Sequence, residues 1–377
     1  MKGAIRVLHV FYGLDSGGVS NYVMNLYRNI DTDRIQFDFA MTSGKKALFD
    51  DEVLARGGRV FYFESQSNLA EGFRKILREN GPFDAVHSHL FFFSGILLRE
   101  AKRAGIPIRI AHAHNAYTGE TRSHVRALYE KSMQLLIRMN ATHMLGCSQK
   151  ACRYVFGEQS MRDKRTQVVP DGIDCGRFAF CPEIREQVRK EYGLQGRYVV
   201  GHVGHFNPAK NHEKILDVFQ ELCQLRDDAA LLLVGDGELE EEVKERVKEL
   251  GISDRVIFAG AHKDVECFYQ AMDVFLFPSR YEGFGMAMIE AQSSGLLCVA
   301  SDVVPQETNV SGRSVYLPLE EDAHVWAQHL TAAVRDESSA AFVSVAAVFD
   351  AHSTSKEIER LYLRNDSRWL TKDTATE

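Results

Sequence analysis

The feature that most constrains the fold of this chain is a repeated alternation of short apolar segments with segments of helical pattern. The helical segments make crossover connections possible, and strands joined in this way form parallel sheets covered by helices on both faces. The candidate strands are residues 6–11, 35–41, 59–63, 83–87, 108–113, 141–147, 167–170, 199–203, 230–234, 255–259, 274–277 and 297–301. We therefore predict an α/β protein with two doubly wound, Rossmann-like domains and a cleft between their strand carboxyl ends.

The domain boundary is predicted where the first series of strands ends. A length of 377 residues is enough for two hydrophobic cores. The segment VVPDGID at 168–174 is typical of a domain exit, and the charged helix predicted at 183–192 leads into a linker. We predict an N-terminal domain at 1–175, a linker at 176–198 and a C-terminal domain at 199–352, with a final helix at about 353–366 packing back on the first domain.

Cysteine usage and hydropathy limit the compartment. The seven cysteines are odd in number and contain no CxxC pair, which disfavours a disulfide framework or a zinc site. No apolar window approaches the roughly 18 residues of a spanning helix, and residues 1–17 do not resemble a signal peptide. We expect a cytoplasmic protein that does not bind nucleic acid.

The stretch at 273–295, DVFLFPSRYEGFGMAMIEAQSSG, combines a buried strand, a glycine-bearing loop and a helix. Its glycines allow close approach of the backbone to a ligand, and N–H groups near Met286 and Ala287 would point from the helix start toward an anion. Glu282 lies in the loop and Glu290 inside the helix. Alone, these two acids read equally well as ordinary surface carboxylates beside a turn.

Other strand ends carry polar candidates. Gly17 and Gly18 lie between a strand and a helix, as in phosphate-binding loops, although the GxGxxG fingerprint of nicotinamide enzymes is absent. Lys210 precedes a helix and is a plausible phosphate ligand. Two HxH pairs, 87–89 and 112–114, end neighbouring strands; metal binding is disfavoured because no carboxylate cluster completes a site. A structural histidine is a fair reading for His87 and His112, less so for His114.

The net charge of −7 conceals a basic segment. Residues 99–165 contain 13 Lys or Arg against 5 Asp or Glu. This excess could form a face for an anionic membrane or a phosphorylated acceptor, or it could be scattered around several helices.

Taken together and in this order, the motifs resemble those of the retaining glycosyltransferases of GT-B fold, family 4. The resemblance covers about residues 6–362 and is greatest to bacterial transferases of exopolysaccharide and capsule assembly. No single motif is decisive, but the ordered set is highly specific. Its members are Gly17-Gly18, His114, Lys210, GDGE at 235–238 and EGFGMAMIE at 282–290.

The resemblance implies a nucleotide-diphosphate sugar donor, most simply a UDP-sugar, and retention of anomeric configuration. Glu290 would bind the ribose hydroxyls and Glu282 the hydroxyls of the transferred sugar. The diphosphate would be held by Lys210 and by the backbone N–H groups of Met286 and Ala287. Since the lysine and the helix dipole can stabilise the leaving group, no metal or other cofactor is expected.

The resemblance also assigns residues around this centre. Gly18 would donate its N–H to the phosphates from the first domain, His114 would lie near the donor sugar, and residues 261–263 would flank the base. The remaining predicted binding residues are Gly17, His205, Ala261, His262, Gly283, Phe284 and Gly285. The expected acceptor is a saccharide or a lipid-linked saccharide, for example on polyprenyl diphosphate, bound by loops such as 116–125. The basic segment at 99–165 could add peripheral contact at the inner face of the cell membrane.

One position departs from the family pattern. Where such enzymes usually carry arginine in GRFxxxK, this chain has His205. A neutral imidazole has neither a permanent charge nor a bidentate fork, so diphosphate binding would be weaker and more dependent on pH.

Two other functions fit the same predicted fold. A sugar-nucleotide hydrolase or epimerase would act on the donor without an acceptor. A non-catalytic subunit of a transferase would bind a partner enzyme, although the presence of Glu282, Glu290, Lys210 and His114 argues against it.

Overall fold

The computed structural model describes residues 4–14, 18–63, 68–114 and 123–363. Its contacts define two compact units, one built from the chain up to Gly172 together with the residues from Ala351 onward, and one from Ile173–Asp350. Each unit contains one parallel sheet, so the predicted α/β class with two doubly wound, Rossmann-like domains is confirmed. None of the helices in the described ranges has the length and hydropathy needed to cross a bilayer.

The first unit is built on a seven-stranded sheet of order β3-β2-β1-β4-β5-β6-β7. Its strands are β1 (Ile5–Phe11), β2 (Ile35–Met41), β3 (Arg59–Tyr62), β4 (Ala85–Ser88), β5 (Ile108–Ala113), β6 (His143–Gly146) and β7 (Thr166–Val168). Its first six helices are α1 (Gly18–Asn29), α2 (Asp50–Ala55), α3 (Leu69–Asn80), α4 (Ser94–Arg103), α5 (His124–Asn140) and α6 (Gln149–Phe156). The strand order reverses between β1 and β4, the position at which such sheets bind ligands.

The second unit repeats this plan with a six-stranded sheet of order β10-β9-β8-β11-β12-β13. Its strands are β8 (Tyr198–Val203), β9 (Ala229–Val234), β10 (Val256–Gly260), β11 (Val274–Phe277), β12 (Leu297–Ser301) and β13 (Ser314–Leu317). Its helices are α7 (Cys175–Phe178), α8 (Pro182–Glu191), α9 (His212–Leu225), α10 (Glu240–Glu249), α11 (Val265–Ala271), α12 (Met286–Ser293), α13 (Ala323–Thr331) and α14 (Ala340–Phe349). Every residue of β9 and β11 is buried, as their unbroken apolar runs predict, and the order reverses between β8 and β11.

The segment predicted as a linker, 176–198, is largely part of the second unit. Its helix α8 packs on α11, and ion pairs with Asp273 hold it in place. Arg189 donates to the Asp273 carboxylate at 2.7 Å, and Arg185 donates to the same carboxylate and to the carbonyl of Met272. The unit boundaries therefore fall at Gly172 and Asp350, a few residues from the predicted 175 and 352.

The last described helix, α15 (Ala351–Leu363), belongs to the first unit. Ile358, Leu361 and Tyr362 are buried in the core that also contains residues of β1, β2 and α1. This helix begins two residues before the predicted 353 and brings the Tyr362 hydroxyl under the first sheet.

Candidate functional site

The loops that follow β8 and β9 lie in direct backbone contact. Gly235 and Gly237 have φ values of +142° and +154°, which side chains rarely allow. A Cβ added to Gly235 would lie 2.1 Å from the carbonyl oxygen of Gly204, and one on Gly237 would lie 2.5 Å from that of Phe206. The glycines of the GDGE motif thus hold the segment that begins at Gly204 in place.

Lys210 and Glu282 form an ion pair where β8 and β11 end. The Lys210 ammonium donates to Glu282 Oε1 at 2.6 Å and lies 4.9 Å from the centre of the Phe277 ring. The Ser279 hydroxyl donates to the same carboxylate oxygen at 2.7 Å. Both charged side chains are mostly buried, at 19% and 10% exposure, so the pair is better shielded from water than a surface pair.

Helix α12 begins at Met286, shortly after Glu282 in the sequence. Gly285 precedes it with φ +95°, in the left-handed region, which turns the chain from the glycine loop into the helix. Met286 and Ala287 form its partly exposed first turn, where N–H groups have no acceptor within the helix. Gly283 is buried beside Phe284, whose ring packs on Phe349 at 5.5 Å. The chain thus presents a positive helix end next to a lysine.

Glu290 lies further along α12 and is only partly exposed. The Tyr269 hydroxyl donates to its Oε2 at 2.8 Å. Burial raises the pKa of the Glu290 carboxyl, while the Tyr269 hydrogen bond and the nearby Lys210 act in the opposite direction. Because Tyr269 occupies Oε2, the other carboxylate oxygen can accept from a ligand hydroxyl.

His205 and His262 are two further predicted binding residues of the second unit. His205 Nδ1 is 3.0 Å from Asp236 Oδ1, and both side chains are about half exposed. His262 Nε2 donates to the Ala259 carbonyl at 2.9 Å, and its ring packs on Phe268 at 4.4 Å. Ala261 is exposed.

The predicted residues of the first unit are not equally described. Gly17 and most of the predicted acceptor loop at 116–125 lie outside the described residues. Gly18 is the first residue of α1. His114 is buried at the end of β5, with Nδ1 2.9 Å from Asp171 Oδ1 and Nε2 2.7 Å from His89 Nδ1. Both of its ring nitrogens are therefore engaged within the protein.

The sequence reasoning missed several partners in these contacts. Four of them bond to predicted residues and the fifth bonds to His89, and no spacing in the sequence indicates these pairings. They are Tyr269, Ser279, Asp236, Asp171 and His9. The HxH spacing did point to His89, the direct neighbour of His114.

Comparison with known proteins identifies the family. Residues 184–346 match the family described as glycosyl transferases group 1, and residues 16–177 match glycosyltransferase family 4. A relative designated as a glycosyltransferase, EpsF of Bacillus subtilis (strain 168), is 35% identical over 87% of this chain and 87% of its own. The chain belongs to the family 4 glycosyltransferases.

One further relative and one solved structure extend the comparison. A UDP-Gal:α-D-GlcNAc-diphosphoundecaprenol α-1,3-galactosyltransferase of Escherichia coli is 30% identical over 61% of this chain and 60% of its own. The crystal structure of Anabaena HepE in complex with UDP-glucose is similar with a TM-score of 0.78, at 20% identity, over 94% of this chain and 98% of that one. The protein is thus a glycosyltransferase with the GT-B architecture.

Proposed function

We propose that this glycosyltransferase moves a hexose from a UDP-sugar to a lipid-linked saccharide, with retention of anomeric configuration, in assembly of a bacterial surface polysaccharide. The observation that carries the proposal is the shielded Lys210–Glu282 pair beside the first turn of α12. It combines a cation, backbone N–H donors and a hydroxyl acceptor, which are the groups that a sugar diphosphate requires. The Escherichia coli relative, whose name states a UDP-sugar donor and a lipid diphosphate acceptor, supports the same choice.

The proposed chemistry follows from where charge develops. When the bond between sugar and phosphate breaks, negative charge accumulates on the leaving diphosphate. Lys210 and the N–H groups of Met286 and Ala287 would stabilise that charge more in the transition state than in the ground state. These groups supply fixed positive potential, so we propose that no divalent ion or other cofactor is required.

The pair also gives Glu282 a proposed role in binding. When Lys210 binds the diphosphate, its ion pair with Glu282 would break. Glu282 would keep the hydrogen bond from Ser279, and its freed lone pairs could accept from sugar hydroxyls. Same-face attack by the acceptor would then give retention, with the acceptor proton passing to a leaving phosphate oxygen. Glu290, held by Tyr269, would accept from the ribose hydroxyls.

Replacing each acid by alanine should separate these two roles. We expect Glu290→Ala to weaken UDP binding by about tenfold or more, since a hydrogen bond to a charged group is worth roughly 1.5–3 kcal/mol. Glu282→Ala should leave UDP binding within about threefold and lower kcat by about 100-fold. Calorimetric titration with UDP and initial-rate kinetics measure the two effects. The opposite pattern would overturn the assignment.

A second substitution tests the departure from the family pattern at position 205. His205→Arg should preserve donor turnover or raise it by up to about tenfold, because guanidinium adds a permanent charge and a fork that fits phosphate. Asp236, 3.0 Å from His205, can pair with either side chain, so folding should be retained. Steady-state kinetics with His205→Ala as the matched control measures the effect. A large loss in the arginine variant would show that His205 has another role.

The transfer reaction itself is tested with a panel of nucleotide sugars, with and without lipid-linked saccharides, in the presence of EDTA. UDP release that depends on acceptor, with a product of the donor's anomeric configuration by NMR, is the expected result. Turnover without acceptor would instead indicate a hydrolase or epimerase, and no turnover with any donor would indicate a binding subunit. A requirement for added Mg²⁺ or Mn²⁺ would contradict the proposed role of Lys210.

We also propose that helix α5 docks on the anionic leaflet that carries the acceptor. Four apolar side chains spaced along α5 are between 52% and 79% exposed, which is unusual for a helix of a water-soluble fold. They are Val125, Leu128, Leu135 and Met139. Lys131 and Arg138 are exposed on the same helix, in the basic segment, and would contact lipid phosphates.

Vesicle sedimentation tests this docking surface. The protein should bind phosphatidylglycerol-containing vesicles more than pure phosphatidylcholine vesicles, and added salt should weaken binding. Leu128→Ser with Leu135→Ser should reduce binding by at least about tenfold, since roughly 1.5–3 kcal/mol is lost per large apolar side chain. Val343→Ser on α14, which removes a side chain that is 63% exposed, is the matched control. Binding indifferent to lipid charge, salt and these variants would reject the surface.

A further inference from the structure

The first sheet contains a cluster of histidines to which the proposed chemistry assigns no step. The cluster draws on β1, β4, β5 and the residues that follow β4 and β5, and no member is more than 8% exposed. Its members are His9, His87, His89, His112 and His114. We infer that Asp171 anchors these five rings and Tyr362 in one hydrogen-bonded chain, which fixes the tautomer of each ring and positions His114.

The first part of the hydrogen-bonded chain runs from the Asp171 carboxylate to His9 on β1. Asp171 Oδ1 is 2.9 Å from His114 Nδ1, and His114 Nε2 is 2.7 Å from His89 Nδ1. His89 Nε2 is in turn 3.0 Å from His9 Nδ1. Each ring therefore uses Nδ1 toward the carboxylate and Nε2 away from it.

The second part of the hydrogen-bonded chain continues through the Tyr362 hydroxyl on α15. His9 Nε2 lies 3.4 Å from the Tyr362 hydroxyl oxygen, which is 2.6 Å from His87 Nδ1. His87 Nε2 is 3.1 Å from His112 Nδ1. His112 Nε2 is buried and has no partner among the residues that the structure describes, so the chain ends there.

The carboxylate sets the direction of the donors. An ionised carboxylate only accepts hydrogen bonds, so His114 must carry its proton on Nδ1 and accept at Nε2. His89 must then donate from Nδ1 and accept at Nε2, and the same holds for His9. One charged end thus imposes the Nδ1–H tautomer on all three rings.

Tyr362 transmits this direction to the other two rings. Burial raises its pKa well above the usual 10, so the hydroxyl keeps its single proton. Donating that proton to His9 lets the oxygen accept from His87 Nδ1–H, and His87 then accepts from His112. The opposite direction would leave His9 Nε2 unmatched and bury a bare N–H at His112, a worse outcome because orphan donors are rare.

Neutral rings are required for this pattern, and burial favours the neutral form of His9, His87, His89 and His112. Burial lowers the pKa of His87, His89 and His112 well below 6.5, and lowers that of His9 to about 3. Two triads of the cluster have nitrogens close enough to suggest a metal. A metal would displace protons from links that already have hydrogen-bond distances of 2.7–3.1 Å, so the geometry favours the proton-linked chain.

The consequence concerns how His114 could act. Because both of its ring nitrogens are engaged, His114 would not transfer a proton. Its ring would instead provide a surface of fixed shape and position at the end of β5. Asp171 is accordingly a positioning residue, and this catalytic consequence rests on the proposed transfer function. The tautomers themselves do not depend on that function.

Long-range ¹H–¹⁵N NMR of the full chain with labelled histidine tests the tautomers. Single replacements assign the signals, and the five rings should each show a protonated Nδ1 and an unprotonated Nε2 at neutral pH. The Nε2–H tautomer, which dominates for free histidine in water, in three or more of the five would overturn the proposal. So would stoichiometric metal in the purified protein, whose removal by EDTA shifts these signals.

Two variants cut the chain at different links. Tyr362→Phe should leave His114, His89 and His9 as Nδ1–H tautomers but release His87 and His112. Asp171→Asn should instead change His114, His89 and His9, and through Tyr362 also His87 and His112, because an amide can donate as well as accept. Tyr316→Phe, which removes a hydroxyl bonded to Thr308 in the second unit, should change none of them. Changes confined to His114 in the asparagine variant would contradict a continuous chain.

Kinetics then tests the positioning role. Asp171→Asn should lower kcat, calculated per UDP-binding site measured by titration, by about tenfold and leave KM for the nucleotide sugar within about twofold. Loss of folded protein would lower the number of binding sites and leave kcat per site unchanged. An unchanged kcat with the expected tautomer changes would overturn the positioning role. If the wild-type protein fails to transfer sugar while the tautomers follow the prediction, the proposed function fails and the hydrogen-bonded chain stands.

Discussion

Lys210→Ala is expected to lower kcat/KM for the nucleotide sugar by about 100- to 1,000-fold, which corresponds to roughly 3–4 kcal/mol of transition-state stabilisation. In the proposed mechanism Lys210 stabilises the leaving diphosphate, and because its side chain is only 19% exposed, water screens its charge poorly. Its removal also leaves Glu282 without its 2.6 Å partner, and the unpaired carboxylate would repel the donor phosphates.

Three variants separate these effects by initial-rate kinetics. Lys210→Arg keeps the charge and should recover part of the loss. Lys248→Ala removes the same charge from an exposed position on α10 and should change kcat/KM by less than about twofold. Lys210→Ala combined with Glu282→Ala should be less impaired than the two single losses added together. A Lys210→Ala enzyme within about threefold of wild type would remove the lysine from the mechanism.

Mild acid is expected to destabilise the first unit strongly. Four buried histidines have pKa values held far below their unfolded value of about 6.5 by burial; they are His9, His87, His89 and His112. Below about pH 6.5 the unfolded chain therefore binds protons that the folded chain does not bind. The stability present above pH 6.5 is lost as the pH falls. From pH 7 to 5.5, linkage gives about 1.3 kcal/mol for each ring and roughly 5 kcal/mol for the four.

The surroundings of these rings do not offset the effect. Asp38 raises the pKa of His9, but its charge is already paired with Arg6 and Arg59, and burial dominates. Positive charge on the neighbouring His9, His114 or His143 would lower the pKa of His87 further and not raise it. Protonation would also break the donor pattern of the histidine chain, since a charged ring donates from both nitrogens.

Urea unfolding at pH 7 and 5.5 measures the loss, and hydrogen exchange of β1, β4 and β5 assigns it to the first unit. His112→Asn should reduce the difference by about 1.3 kcal/mol, because its amide can still donate to His87 while one titrating group is gone. His352→Asn on the exposed side of α15 should leave it unchanged. Equal stability at the two pH values would contradict neutral, buried rings.

Much of the fold could be predicted because the strands are apolar runs with clear ends. Residues 35–41, 274–277 and 297–301 match β2, β11 and β12 at both ends. Each is buried on both faces, so burial and sequence pattern agree. The parallel arrangement followed from the helical segments between them.

The elements that were missed lack such signals. Strand β13 is a half-buried edge strand of only four residues. Helix α14 is apolar on most sides and begins after Ser339, a left-handed residue whose side chain makes no cap, so neither amphipathic period nor capping marks it. The predicted linker was misjudged because the arginines that tie α8 to Asp273 read as surface charge in the sequence.

The sequence did not indicate which residues pair in the candidate site. Lys210 and Glu282 are separated by 72 positions, and only the neighbouring order of β8 and β11 brings them together. The bond between His114 and Asp171 likewise depends on how the end of β5 meets the segment after β7. A lone His9 in an apolar strand looks like any core residue until the ring beside it is known.

The central proposal, that Lys210 holds the diphosphate of the donor, is tested most directly by calorimetric titration with UDP and with UMP, which lacks the second phosphate. We predict that the wild-type protein binds UDP at least about tenfold more tightly than UMP, a difference of about 1.4 kcal/mol. In Lys210→Met the ratio should fall to within about threefold, while affinity for UMP is unchanged. A ratio that survives the substitution intact would contradict the account.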